Sequence, residues 1–204
     1  MSGTTLAAPG LEQRVVCTDR VELEPGDRSE VIFVASGGGV LRAGGEEHAL
    51  EPDTGAYVGP GETVTLEAAD GGELELVIVT TPAAELRSRR VVRYRDRESE
   101  DAGIGRWFRL LVESSETTQF VGTIPPGRAK MHNHPYDELA WLLEGKGQIH
   151  WHEGESVPLA RGSQIFFPRL VFHSVENQGG APMRIMGVFR PAGSPADRVA
   201  VLDY

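Results

Sequence analysis

A single cysteine, Cys17, in a chain of 204 residues excludes an internal disulfide and the small stapled scaffolds that depend on one. A reducing cytosol is therefore the expected setting. Long apolar runs are absent too. The longest, such as Val31–Ala35 and Leu76–Val79, have strand length, well short of the ~20 residues needed to span a bilayer as a helix. Met1–Gly10 lacks a basic segment followed by an apolar one, so no secretory signal is expected. Positive charge is scarce: Lys+Arg is 20 against Asp+Glu 30, a formal net charge of −10. That balance argues against nucleic acid, whose binding rests on cations that neutralise phosphates, and against anionic membrane surfaces. A 40% hydrophobic content is too apolar for disorder. A cytoplasmic protein of one domain or two small ones is expected, with a small molecule as its partner.

What the chain does have is glycine and proline, 25 and 13 residues, placed between short β-rich runs. The runs predict strands at 31–35, 40–43, 56–58, 63–67, 74–80, 107–112, 119–124, 139–143, 148–152, 164–168, 173–176 and 183–189. Turn signals such as Gly44-Gly45, Gly59-Pro60-Gly61, Pro125-Pro126-Gly127 and Gly145-Lys146-Gly147 separate them. A turn every ~8–12 residues is the pattern of an all-β sandwich or barrel. Only Pro82–Arg90 leans towards a helix, with Pro82 in position to open one.

The β pattern occurs twice. Glu30-Val-Ile-Phe-Val-Ala-Ser-Gly-Gly-Gly39 parallels Glu138-Leu-Ala-Trp-Leu-Leu-Glu-Gly-Lys-Gly147, and Pro25-Gly26 parallels Pro126-Gly127. Two β modules are expected, residues 1–86 and 87–204, with the charged stretch Arg87–Asp101 as linker or exchanged edge strand. Its arginines (Arg89, Arg90, Arg93, Arg95, Arg97) read as a solvated face. The copies differ where chemistry would sit. The segment Gly26–Glu30 is seven residues shorter than Gly127–Glu138, and the first half has one histidine, His48. Any reactive centre is expected in the second half.

There the chain reads Met131-His-Asn-His-Pro-Tyr-Asp-Glu138. Residues i and i+2 of a strand face one side, so His132 and His134 can present two imidazoles to a single ion. Pro135 keeps His134 extended and favours a turn, after which Glu138 can return towards the rings. A third nitrogen could come from His173. Three imidazoles and a carboxylate suit a divalent transition metal, with Fe(II) or Mn(II) favoured and Ni, Co, Cu or Zn also compatible. A second His-x-His, His150 and His152, has no partner at suitable spacing and reads as an exposed polar face.

The spacing Gly127-(x)4-His132-x-His134-(x)3-Glu138-(x)6-Gly145 resembles the first motif of the cupin superfamily, with one residue fewer after the first glycine. Gly162-(x)5-Pro168-x-Leu170-(x)2-His173-(x)3-Asn177 is similar to the second, with Leu170 where glycine is usual. Leu23–Pro82 matches only as a degenerate copy, Val64 and Ala68 standing at the histidine and asparagine positions. The resemblance implies a bicupin: two tandem cupin-type β-barrels (double-stranded β-helix or jelly roll), with one metal in the C-terminal barrel. It implies His132, His134, Glu138 and His173 as ligands, with Glu138 also catalytic. Similar proteins commonly dimerise, so a homodimer is implied as well. Gln119, Tyr136, Arg128 and Asn177 are candidate pocket residues, and Lys130, Arg169 and Arg184 further cations near the motifs. The activity implied is that of a metal-dependent dioxygenase on a small organic molecule. The alternatives are a non-redox hydrolase or isomerase, similar to ureidoglycine aminohydrolase or to sugar isomerases, and a ligand-sensing bicupin.

Overall fold

The computed structural model describes residues 5–103 and 105–202. The first half supplies β1 (Thr5–Ala8), β2 (Leu11–Thr18), β3 (Arg20–Leu23), β4 (Ser29–Ser36), β5 (Gly39–Ala43), β6 (Glu46–Leu50), β7 (Thr54–Val58), β8 (Val64–Ala68), β9 (Leu74–Thr81) and β10 (Val91–Arg93). The second half begins with β11 (Glu100–Gly103), β12 (Arg106–Glu113), β13 (Thr118–Ile124), β14 (Gly127–Arg128), β15 (Met131–Asn133) and β16 (Asp137–Glu144). It continues with β17 (Lys146–Trp151), β18 (Ser156–Ala160), β19 (Gln164–Phe167), β20 (His173–Asn177), β21 (Met183–Arg190) and β22 (Ala200–Leu202). The fold is all-β, as the spacing of turns predicts, and its tandem jelly-roll architecture is that of the neighbours described below.

Each half pairs a six-stranded antiparallel sheet with a second sheet. The orders are β1-β2-β9-β4-β7-β10 over β3-β8-β5-β6, and β11-β12-β13-β21-β16-β19 over β18-β17-β20-β15-β22. The two long sheets are buried on both faces. In β4, Ile32 and Val34 point inward with Leu41, Leu66 and Ile78, while Val31 and Phe33 point out. In β16, Ala140 and Leu142 face inward with Ile149 and Ile185, whereas Leu139 and Trp141 point out. The outward sets of both halves form one core, where Val31, Phe33 and Val77 pack with Leu111, Val121, Trp141 and Val188. That is why β16 reads as a continuous apolar run rather than an alternating one. At about 1.5–3 kcal/mol per buried large apolar side chain, this shared core is a main source of stability.

Two expectations need correction. The helix at Pro82–Arg90 does not form. Its backbone N–H groups are taken by tertiary partners: Ala84 donates to Ser29 Oγ (3.1 Å), and Arg87 and Ser88 donate to the Glu113 carbonyl (2.8 and 3.1 Å). A segment this short gains too little from helical hydrogen bonds to compete. Secondly, β15 stops at Asn133, so His134 lies just beyond the strand rather than within it. The stretch 87–101 contributes β10 at one sheet edge and the start of β11 at another. Several of its arginines meet carboxylates, as in Arg90–Glu62 (2.7 Å) and Arg95–Glu51 (3.1 Å).

Candidate metal centre in the second half

His132 on β15 is the direct cross-strand partner of His173 on β20, and their ring centroids lie 4.8 Å apart. The chain after β15 turns through Pro135 and places the His134 ring 5.0 Å from that of His173. It then enters β16, where Glu138 Oε2 lies 3.1 Å from His134 Nε2. All four side chains are buried and line one cavity of about 80 Å³. Phe108, Phe120, Phe167 and Phe189 supply apolar walls, and Arg106, Asp197 and Arg198 add polar groups.

The three rings share one orientation device. Nδ1 contacts a backbone carbonyl two residues away in each: Lys130 for His132 (3.1 Å), Tyr136 for His134 (2.9 Å) and Val171 for His173 (2.9 Å). A carbonyl only accepts, so Nδ1 carries the hydrogen and, in the neutral ring, Nε2 keeps its lone pair. Burial, reinforced by the charge of Arg106, pushes His132 down to about 4. Burial and the neighbouring His132 and His134 hold His173 well below the ordinary range. Both rings are therefore neutral donors at pH 7.

The donor set fits a divalent transition ion in chemistry and orientation. The sharpest sign is His134 Nε2, which is buried without a hydrogen-bond partner although a carboxylate oxygen stands 3.1 Å away. Two lone pairs at that separation repel unless a proton or cation lies between them. Among the described residues no group of three or more His, Cys, Asp or Glu stands close enough together to hold a metal ion as placed.

The other expected pocket residues stand apart from the cavity. Gln119 is on the opposite face of β13 from Phe120; it is fully buried and its Nε2 donates to the Ile32 carbonyl (3.1 Å), joining the two halves. The alternation of β13 requires this once Phe120 and Gly122 face inward. Asn177 ties a turn: Nδ2 donates to the Ile124 and Ala181 carbonyls (2.9 and 2.8 Å), and Oδ1 accepts from the Gly179 N–H (2.8 Å). Arg128 is exposed on β14, opposite Glu176. Tyr136 sits behind the site, stacked on His134 with centroids 6.2 Å apart, and its hydroxyl donates to Asp197 (2.7 Å). Burial and Asp197 push the Tyr136 hydroxyl up to about 12. Of the other cations, Arg169 pairs with Asp137 (2.7 Å) and Arg184 with Asp53 (2.8 Å). His150 lies outside the cavity, between Ser156 Oγ (2.9 Å) and Glu176 Oε2 (2.7 Å).

Sequence reasoning missed Arg106, Asp197 and Arg198. No motif marks Arg106. The tail residues come into view only because β22 pairs with β15, setting Val201 opposite His132.

An antiparallel barrel carrying inward histidines on β15 and β20 and a carboxylate on β16 places the chain among β-barrel proteins of jelly-roll type. A model described as an AraC-like ligand binding domain matches residues 18–125, more than half of the chain, and one described as a cupin domain matches residues 120–189. The chain belongs to the cupin superfamily. Among solved structures it is similar to AerE from Microcystis aeruginosa, at 13% identity and a TM-score of 0.79, covering 98% of this chain and 92% of that one. A mutant of salicylate 1,2-dioxygenase from Pseudoaminobacter salicylatoxidans gives 9% identity and a TM-score of 0.74, with 92% and 75% covered. Oxalate decarboxylase from Bacillus subtilis gives 13% identity and a TM-score of 0.69, with 94% and 75% covered. At these identities the likeness is one of fold. No curated protein matches the chain in sequence.

Proposed function

We propose that this protein is a bicupin in which the second half is a metal-dependent oxygenase, most simply a dioxygenase, acting on a small organic molecule. One observation carries the reading: three histidines, each fixed with Nδ1 on a carbonyl, turn towards a cavity shared with Glu138. His132, His134, His173 and Glu138 would hold the ion. The chemistry it supplies there is Lewis-acid polarisation and one-electron exchange with dioxygen. Glu138 is in contact with the His134 ring and can accept a substrate proton. The phenylalanine walls favour an apolar gas and a substrate with an apolar body. The inner face of the first half is filled by Ile32, Val34, Leu66 and Ile78, which leaves it a structural role.

The test is metal analysis of protein purified after loading with Fe(II) or Mn(II), followed by oxygen uptake with diketones, flavonols and phenols. Stoichiometric metal together with substrate-dependent oxygen consumption is expected. Turnover that persists without oxygen, or with Zn(II) alone, would replace the oxygenase with a hydrolase or isomerase. The match to an AraC-like ligand binding domain favours a second reading, a ligand-sensing bicupin; repeated turnover on any substrate excludes it.

A further inference from the structure

The metal-site reading leaves a half-buried cation unused. Arg106, the first residue of β12, lines the cavity. Its Nη2 donates to the Val175 carbonyl (2.5 Å), while its Nε is buried with no hydrogen-bond partner. Among the described residues no carboxylate lies within ion-pair distance of it. Burial brings its pKa down to about 10, with Glu138 the one charge opposing that fall. A guanidinium withdrawn from water is costly unless an anion compensates it. Glu138 faces His134 Nε2 and makes no ion pair with Arg106. The Nε of Arg106 is therefore left without an acceptor in the cavity.

We propose that Arg106 anchors the carboxylate of the substrate, and that the substrate class is a small monocarboxylate with a flat, apolar body. This rests on the oxygenase reading for the chemistry but not for the binding. A planar fork of N–H donors is matched by a carboxylate, which can take two parallel hydrogen bonds. The walls beyond Arg106 are Phe108, Phe120, Phe167 and Phe189, with Phe120 and Phe189 in ring contact at 4.7 Å. They suit an aryl or alkenyl body. A cavity of about 80 Å³ keeps the guest small. Arg106 lines the same cavity as the His132 and His173 rings. A carboxylate seated on it points the body of the molecule towards them.

The test compares benzoate with benzamide, equal in shape but different in charge, by calorimetry on the full-length protein. Benzoate is expected to bind at least tenfold more tightly. Arg106→Gln should remove that preference while leaving benzamide binding and Mn(II) uptake unchanged, and Arg106→Lys should restore part of it. Equal binding of the two probes by the wild-type protein overturns the proposal, as does a preference that survives in Arg106→Gln. If that variant does not fold, the wild-type ratio decides alone. A protein that prefers benzoate but takes up no Mn(II), Fe(II) or other divalent ion keeps the anion site and loses the oxygenase. One that loads metal without preferring benzoate does the reverse.

Discussion

His132 and His173 are paired directly across β15 and β20 with their rings in contact, so the ladder itself brings the two motifs together. If these rings are ligands, His132→Ala or His173→Ala should lower metal affinity by more than the ~10–100-fold typical of groups that only orient a ligand. His150→Ala should leave metal content unchanged, because His150 is engaged by Ser156 and Glu176 outside the cavity. Metal analysis of desalted proteins loaded in parallel checks both. Equal loss in the two sets would move the site elsewhere.

The low pKa of His132 makes a prediction for the metal-free protein. Folded, the ring titrates at about 4 rather than 6.5, so between these values the unfolded chain binds the proton first. Stability should therefore be fully present above pH ~6.5 and decline as pH falls towards ~4, by a total of about 3 kcal/mol from this group. Urea midpoints of wild type and His132→Asn at pH 7 and pH 4.5 isolate the contribution. The wild type should lose more than the variant on acidification; an equal loss contradicts the assignment.

The elements that could be read from the sequence share a local cause. Strands such as β4, β9, β16 and β21 carry their own β-branched and apolar runs, and the histidine motifs lie on the neighbouring short strands β15 and β20 and the turn after β15. What could not be read depends on distant pairing. β22 is three residues long and exists because it completes the edge beside β15. Arg106 looks like any surface arginine until Val175 and the phenylalanine walls close around it. Gln119 departs from expectation for the same reason. Polarity alone pointed to a pocket, but the alternation of β13 turns the side chain towards Ile32 of the other half. Its burial between the halves cannot be inferred without knowing that the two long sheets pack face to face.

Leu170 occupies the position where the superfamily usually has glycine, and its backbone is left-handed, with φ at 61°. Its N–H donates to the His134 carbonyl (2.8 Å), so the conformation is held by the site loop. The side chain is 54% exposed and little burial is at stake. A left-handed non-glycine residue costs roughly 1–2 kcal/mol, partly offset by the ~0.5–1 kcal/mol that glycine loses in backbone entropy. Leu170→Gly should therefore raise stability by up to about 1 kcal/mol, read as a higher denaturant midpoint at unchanged slope. A clear loss would show that the leucine side chain packs against something in solution.

Gly187 on β21 is opposite Phe120 and Ala140 in the ladder, at the point where Glu138 enters the cavity. A Cβ there would lie 2.4 Å from Phe120 Cζ and 2.8 Å from Glu138 Oε1. The Phe120 ring is held by Phe189, so the carboxylate is the freer of the two to yield. Gly187→Ala should cost about 1–3 kcal/mol as overpacking and, because Glu138 is displaced, should also weaken metal retention. Gly122→Ala is the control: its Cβ would meet Ile185 Cγ2 at 3.3 Å and touch no proposed ligand. Folding free energy and metal content measured on both variants separate the effects. If Gly187→Ala loses stability but binds metal as the wild type does, Glu138 is not a ligand, and the ion, if any, rests on the three histidines alone.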